Sequence, residues 1–283
     1  METYDQLLAA TIQHLESLKA RGTRFVSVSP HHLAALARPP ARPSPVRLAT
    51  PQPPLAPAAP APAPAPHPPI STTSTDPAKA AAFAELRARA LVCVKCPNLA
   101  AARKNVVFGV GSLDATLMFV GEAPGADEDE QGEPFVGKAG QLLTRIIQTM
   151  GWQRETVYIA NILKCRPDTP GQSAGNRKPT PGEMATCIPY LHEQIDLIQP
   201  KVLVALGGTA VEGLLGKTMG ITKLRGQWQT YRNIPLMPTY HPAYLLRNQA
   251  LSEKRRVWED MLAVMEKLAM PINDKQRNYF LKA

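Results

Sequence analysis

All four cysteines of this 283-residue chain lie between residues 93 and 187, as one close pair and two single residues. Cys93 and Cys96 form a C-x-x-C pair, whereas Cys165 and Cys187 follow on either side of a stretch rich in proline and glycine. This arrangement is typical of four ligands of one metal centre, which would cross-link distant segments of a folded domain. Two disulfide bonds, or four unrelated buried thiols, are the alternatives.

The start of the chain bears on the choice between a metal and disulfides. The segment METYDQLLAATIQHLESLKA carries acidic residues early and has no apolar run like that of a secretory signal. We therefore expect a reducing compartment, the cytoplasm, where a C-x-x-C pair indicates metal or redox chemistry. Zinc and iron–sulfur clusters both accept four thiolates, and the spacing alone does not distinguish them.

The composition divides the chain into three parts. Residues 1–37 are an N-terminal arm, in which apolar residues at helical spacing predict a helix over residues 4–20 that could dock a protein partner. Residues 38–77 contain 15 of the 29 prolines and predict an extended Pro/Ala-rich linker without a packed core. Residues 78–283 have the length of one domain. No run is apolar enough to cross a membrane, so we expect no membrane partner. We also expect a monomer.

The net charge of +9 is concentrated in the predicted domain. Residues 1–77 hold 6 Lys and Arg against 4 Asp and Glu, which leaves 26 against 19, or +7, in residues 78–283. A basic domain favours a polyanionic partner, nucleic acid first, although simple solubility gives the same balance.

Short apolar runs alternate with helical segments in residues 78–283. Alternation of this kind predicts an α/β fold, a three-layer α/β/α sandwich around a central, mainly parallel four-stranded sheet. The predicted strands are Leu117–Val120, Val157–Leu163, Val202–Leu206 and Ile234–Tyr240, and the predicted helices are Ala78–Leu91, Ala139–Met150, Pro181–Ile198 and Thr209–Leu215.

Three polar side chains follow the predicted strands at their carboxyl ends, where ligands bind in such sheets. Glu122 comes after the first strand, Asn161 ends the second, and His241 follows the fourth. A carboxylate, an amide and an imidazole would therefore meet at one edge. Helix capping and turn hydrogen bonds are the alternative roles of these residues.

A glycine-rich segment follows the first of these strand ends. Phe135 precedes Gly137 and Gly140 at the start of a predicted helix. The aromatic ring suits either the core or a stacking surface for a planar ligand, since the glycines allow close approach of the backbone.

Four segments together carry a resemblance to a known family: GEAPGADEDEQGEPFVGKAGQLL, NILKCRP, CIPYL and MPTYHPAYLLRN. They resemble the family 4 uracil-DNA glycosylases, the iron–sulfur class of that superfamily, in order from about Cys93 to Asn248. The resemblance implies an enzyme of base excision repair that flips uracil out of DNA and hydrolyses its N-glycosidic bond. It also implies a [4Fe-4S] cluster on Cys93, Cys96, Cys165 and Cys187. The stretch Asp168–Gly175 looks longer than is usual for the family.

The resemblance also implies roles for the residues at the strand ends. Glu122, between the substrate-binding residues Gly121 and Ala123, would lie near the attacking water. Asn161 would bind the pyrimidine edge, and His241 would stabilise charge on uracil O2.

The remaining roles concern the walls of the pocket and the DNA. Phe135 would stack on uracil, and Glu128 would block the methyl group of thymine. Leu245 would enter the duplex as a wedge, beside Arg247. Arg225, Arg247, Lys138 and Lys164 are candidates to bind DNA phosphates.

Two other functions are compatible with the cysteines and the GE-x-PG motif. One is a sister class that traps uracil-DNA covalently through a histidine in a basic loop, but the stretch Asp168–Lys178 contains Arg177 and Lys178 and no histidine. The other is a non-catalytic iron–sulfur module that binds DNA, which would not require Glu122, Phe135, Asn161 and His241 together.

Overall fold

The strands in the described part of the chain form one mixed sheet of six, in the order β1-β3-β2-β4-β6-β5. The computed structural model describes residues 76–167, 177–216 and 219–281, together with the helical positions 13, 16, 17 and 20. The predictions for the rest of the N-terminal arm, for the Pro/Ala-rich linker and for the Asp168–Gly175 loop lie outside the described residues. The strands are β1 (Val110–Gly111), β2 (Leu117–Gly121), β3 (Tyr158–Asn161), β4 (Val202–Leu206), β5 (Gln229–Tyr231) and β6 (Ile234–Thr239).

Helices connect and cover these strands. They are α1 (Pro77–Leu91), α2 (Pro97–Ala102), α3 (Ala126–Gln131), α4 (Lys138–Met150), α5 (Pro181–Ile198), α6 (Gly208–Leu215), α7 (Ile221–Leu224), α8 (Pro242–Arg247), α9 (Leu251–Lys267) and α10 (Asp274–Asn278). Within the described part of the chain, no helix has both the length and the apolar character needed to cross a membrane.

Strand residues alternate between two cores, one on each face of the sheet. In β2, Met118 and Val120 pack into the core formed with α1, α5 and α6, whereas Leu117 and Phe119 pack into the core formed with α4 and α9. Both faces are buried because successive side chains of a strand point to opposite sides. The predicted three-layer α/β/α fold is thereby confirmed.

The four predicted strands form the parallel centre of the sheet, β3-β2-β4-β6. The structure adds two edge strands that the sequence analysis does not predict, β1 and β5, both antiparallel to their neighbours. They are only 2 and 3 residues long, too short for a periodic pattern. Because the central strands are parallel, their carboxyl ends share one edge of the sheet.

Candidate active site

The predicted strand-end residues lie at this carboxyl edge. Gly121 ends β2 and pairs in register with Asn161, which ends β3. His241 follows β6 and is the N-cap residue of α8. The parallel register thus brings the turn that leads to Glu122, the Asn161 amide and the His241 imidazole to the same edge of the sheet.

The side chain of Asn161 is in an environment that is unusual for a polar group in the protein interior. Its side chain is buried, and its Oδ1 atom has no hydrogen-bond partner in the described part of the chain. A buried polar atom without a partner costs about 1–3 kcal/mol, so such atoms are rare unless a ligand or water completes them. The orphaned Oδ1 therefore marks a place where a donor from outside the chain is expected.

Gly121 allows this amide and the ring of Phe135 to approach the end of β2. A Cβ atom on Gly121 would lie 2.4 Å from Asn161 Oδ1 and 2.5 Å from Phe135 Cζ. Both distances are far below van der Waals contact. Only glycine lets the amide, the ring and the main chain come together here.

Phe135 is held in a strained backbone conformation. Its φ is 55°, in the left-handed region that non-glycine residues rarely adopt, and its side chain is buried. A Cβ atom on Gly140 would lie 1.8 Å from the Phe135 carbonyl oxygen, so the start of α4 packs directly under this residue. Strain of this kind is maintained by surrounding contacts and is typical of functional sites.

Glu128 supplies some of those contacts. Its carboxylate accepts hydrogen bonds from the backbone N–H groups of Gly125 (3.0 Å), Val136 (3.0 Å) and Gly137 (2.9 Å). Glu128, which is predicted to face the methyl group of thymine, thus links the start of α3 to the residues that directly follow Phe135. Its effect on base selectivity stays a prediction.

The imidazole ring of His241 packs against the ring of Phe135. The two rings are stacked, with centroids 5.5 Å apart and planes 30° apart. His241 Nδ1 accepts a hydrogen bond from the Ala243 backbone N–H at 3.1 Å. Burial, and secondarily the positive charge of Arg247, lowers the pKa of His241 to about 4. The imidazole is therefore neutral at physiological pH, and its proton is on Nε2 because Nδ1 is an acceptor.

Glu122 and Ala123 continue the turn after Gly121, and both are partly buried. Within the described residues, the Glu122 carboxylate makes no hydrogen bond and no ion pair, while its main-chain carbonyl accepts from Leu163 N–H at 3.1 Å. The carboxylate is thus available to bind a ligand or a water molecule at the edge of the sheet that carries Asn161.

The four cysteines form a second centre close to this site. All are free thiols, and together with Leu99, Arg103, Leu163 and Thr186 they line one small cavity. Cys165 Sγ accepts from Arg103 Nη1 at 3.2 Å, and Cys187 Sγ accepts from the Lys164 backbone N–H at 3.3 Å. The grouping predicted from their spacing is present.

The electrostatics of this cavity disfavour bare thiolates. Burial, and to a smaller extent the neighbouring cysteines, raises the pKa of Cys96, Cys165 and Cys187, the last to about 11. Thiols that are kept protonated in this way suit a cationic centre, which would compensate the charge of their thiolates. Among the described residues, however, no three Cys, His, Asp or Glu side chains are placed closely enough to hold a single metal ion.

Leu245, the predicted wedge, is buried in this structure and packs against Tyr240 and Val257. Its entry into the duplex stays a prediction. Its neighbour Leu246 is 36% exposed and Arg247 is also exposed. The sequence alone does not show which leucine of the pair faces the core, because this depends on the residue at which α8 begins.

Two of the predicted phosphate ligands are wrong. Arg225 binds Asp260 through Nε at 3.1 Å and through Nη2, and its side chain is only 15% exposed. Lys164 is buried, and burial lowers its pKa to about 7, an effect that the nearby Cys187 side chain opposes. Lys138 and Arg247 are exposed and stay candidates.

Comparisons with known proteins agree on one family. A family model described as the uracil DNA glycosylase superfamily matches residues 108–262. The chain is 47% identical over 173 residues to the type-4 uracil-DNA glycosylase of Thermotoga maritima, covering 60% of this chain and 85% of that protein. It is 40% identical over 207 residues to the type-4 enzyme of Sulfurisphaera tokodaii, covering 70% of this chain and 89% of that protein. A type-5 uracil-DNA glycosylase of Pyrobaculum aerophilum is more distant, at 27% over 190 residues, covering 56% of this chain and 80% of that protein.

Proposed function

The chain belongs to the uracil DNA glycosylase superfamily, and from this premise we propose that it is a DNA-repair glycosylase that hydrolyses the bond between uracil and deoxyribose. The proposed product is free uracil and an abasic site in DNA. Because the reacting bond is inaccessible in stacked DNA, the uracil nucleotide has to be flipped into the site.

The unpartnered Asn161 Oδ1 is the observation that carries this proposal. A carboxamide oxygen only accepts hydrogen bonds. Uracil presents an N3–H donor to it, whereas cytosine presents a lone pair at N3. A pocket built around this acceptor therefore rejects cytosine, because binding cytosine leaves two buried acceptors facing each other.

His241 supports departure of the base. Cleavage of the glycosidic bond moves negative charge onto uracil, largely onto O2. The neutral His241 ring, with its proton on Nε2, is a donor for that oxygen, since Nδ1 is occupied by Ala243 N–H. A fixed donor aimed at developing charge contributes most in the transition state.

Phe135 and Glu122 complete the proposed site. The Phe135 ring, held beside His241, offers a face on which the flipped uracil stacks. The uncommitted Glu122 carboxylate orients the water that attacks C1′ on the sugar, at the end of β2 next to Gly121 and Ala123. Glu128 acts through the loop that holds Phe135 and is proposed to limit the space at C5 of the base.

We propose that Cys93, Cys96, Cys165 and Cys187 hold a [4Fe-4S] cluster. The four free thiols line one cavity, which is the arrangement that a cluster held by four cysteines needs. Such a cluster would act as a structural cross-link between α1, β3 and α5, and no step of the hydrolysis involves it. Protein purified without oxygen should contain about four irons per chain, and stoichiometric zinc would contradict the assignment.

DNA is the proposed partner, and the proposed location is the cytoplasm. The net charge of +9 favours binding to phosphate. Leu246, next to Arg247, replaces Leu245 as the proposed wedge, since it is the exposed leucine of α8.

The function is tested with matched oligonucleotides that contain uracil, thymine or cytosine at one position. The protein should release uracil alone, and alkaline cleavage should reveal the abasic site. Asn161→Ala should slow single-turnover excision by roughly 10–100-fold, the equivalent of about 1–3 kcal/mol, because the base loses its acceptor.

A control separates the site from the fold. Asn278→Ala changes the same residue type at an exposed position of α10 and should keep the parental rate. If Asn161→Ala and His241→Ala both excised uracil at the parental rate, the proposed site would be wrong.

A further inference from the structure

Lys164 lies between the two centres of the protein. It is three residues after Asn161 in the proposed pocket and directly precedes Cys165 in the cysteine centre. Its side chain is among the largest that are fully buried, at 2% exposure for the residue. A charged side chain in such a position requires an explanation.

The main chain between the two centres is bonded at every step. Ile162 N–H donates to Gly121 O at 3.0 Å, and Leu163 N–H donates to Glu122 O at 3.1 Å. Lys164 N–H donates to Cys187 Sγ at 3.3 Å, and its carbonyl accepts from Val107 N–H at 2.8 Å. Hydrogen bonds therefore connect the segment that leads to Cys165 with the turn after β2 and with Cys187.

The Lys164 ammonium makes its own link to the pocket. Nζ donates to the Asn161 carbonyl oxygen at 3.0 Å and to Gln194 Oε1 at 2.6 Å. Gln194 is itself fixed, since its Nε2 donates to Phe108 O and to Tyr158 Oη, both at 3.0 Å. The network therefore ties Asn161 to α5, the helix that carries Cys187.

A purely space-filling role does not account for this lysine. Burial of an ammonium costs several kcal/mol unless it is compensated, and no carboxylate in the described residues pairs with it. Methionine would occupy a similar volume without that cost. Lysine donates two hydrogen bonds that methionine cannot make, and its Nζ also lies 5.7 Å from the centre of the Phe108 ring.

We propose that Lys164 is a positioning residue: it holds the Asn161 main chain so that the side-chain amide faces the base, and it couples the pocket to the cysteine centre. The inference rests on the proposed glycosylase function. It assigns specificity to a residue that does not touch the base.

The test uses the full-length, cluster-loaded protein and its Lys164→Met, Lys164→Arg and Asn161→Ala variants. Lys164→Met should slow single-turnover uracil excision at least tenfold and should weaken inhibition by free uracil by a similar factor. Iron content and visible absorbance should stay at the parental level. Lys164→Arg keeps a donor and should recover part of the loss.

A double variant separates positioning from general damage. If Lys164 acts through Asn161, Asn161→Ala/Lys164→Met should be no slower than Asn161→Ala alone. Multiplied losses in the double variant, or a parental rate for Lys164→Met, would overturn the inference. If the parental protein itself released no uracil, the proposed function would fail instead.

Two further variants control for folding and for loss of iron. Lys201→Met makes the same change at an exposed position at the opposite end of the strands and should leave excision unchanged. If Lys164→Met loses iron, the Gln194→Leu variant tests the inference in its place. It removes one hydrogen-bond acceptor of Lys164 and leaves both the lysine and the cysteines unchanged. Slower excision with weaker uracil inhibition and full iron supports the inference, and a parental rate overturns it.

Discussion

The hydrogen-bonding pattern of the pocket is set before any ligand binds. Asn161 contributes an acceptor whose partner is missing, and His241 contributes a donor because its other ring nitrogen is bonded to Ala243. Both groups are buried or nearly so, where electrostatic interactions are stronger than in water. In the proposed function, both groups would meet one edge of uracil from the positions that they already occupy.

The low pKa of His241 leads to a prediction about pH. Since the pKa is lowered to about 4, the imidazole stays neutral, with Nδ1 free to accept from Ala243 N–H and fix the ring, well below the ordinary value of 6.5. Single-turnover excision should therefore show no decline between pH 8 and pH 5.5 and should fall as pH approaches 4. A decline centred near pH 6.5 would show that the imidazole titrates normally.

Folding has to be followed in the same experiment. The unfolded chain takes up the His241 proton near the ordinary pKa of 6.5, before the folded chain does. Stability from this group is therefore complete above pH 6.5 and is lost progressively as pH falls towards 4. Circular dichroism at each pH separates that loss from a change in the chemistry.

Gly121→Ala tests the close approach at the end of β2. The added methyl group would lie 2.4 Å from Asn161 Oδ1, so the amide or the Phe135 ring has to move. Uracil excision should fall by more than about tenfold, or ~1.4 kcal/mol of barrier. Gly182→Ala is the control, because nothing lies within 4 Å of that Cβ position in α5, and the change should preserve activity.

At the scale of the element, α8 presents different faces to the core and to solvent. Leu245 packs against Val257 of α9, whereas Leu246 and Arg247 are exposed at the end of the helix that the site residue His241 caps. Successive helical residues are about 100° apart in orientation, since a turn contains 3.6 residues, so only one of two adjacent leucines can be buried. The helix thereby places an apolar side chain and a cation beside the pocket.

Paired alanine substitutions distinguish the two leucines. Leu246→Ala should slow excision from duplex DNA and change excision from single strands little, because a wedge is needed only where a stack is opened. Its thermal midpoint should match that of the parent. Leu245→Ala should instead lower the free energy of unfolding by about 2–5 kcal/mol through a cavity in the core. A duplex defect in Leu245→Ala at unchanged stability would reverse the assignment.

Some helices and strands of the fold can be predicted from the sequence, and others cannot. The central strands are predicted to within three residues at each end, because their runs of Val, Ile and Leu are buried on both faces. The edge strands and the helix α9 are not predicted. Edge strands of two or three residues depend on tertiary pairing, and the burial of Leu245 depends on α9.

The same limit applies to the site. Asn161 and His241 are predictable because each follows a recognisable strand. Lys164 is misassigned because sequence alone does not show that its ammonium turns inward to Asn161 O and Gln194. Its position between a buried run and Cys165 is the signal that could have indicated burial.

At the scale of the whole molecule, the described site residues and all four cysteines lie in the unit that runs from Ala65 to Ala283. The first helix of the described domain begins at Pro77, and its N-cap residue Asp76 accepts from Ala78 N–H at 2.9 Å. The described part of this unit therefore starts at Asp76, two residues before the boundary predicted from composition. A truncation that keeps the domain intact has to retain this residue.

Removal of residues 1–75 should leave uracil excision from short oligonucleotides unchanged, since all the proposed site residues lie beyond Asp76. Removal of residues 1–77 additionally deletes the N-cap and Pro77, and it should lower stability by about 1 kcal/mol without affecting the rate. Single-turnover excision and thermal unfolding of both truncations test this. If the shorter deletion slowed excision more than about tenfold, or ~1.4 kcal/mol of barrier, the N-terminal arm would have to contribute to the site. Equal stability of the two truncations would instead show that the Asp76 cap adds nothing to α1.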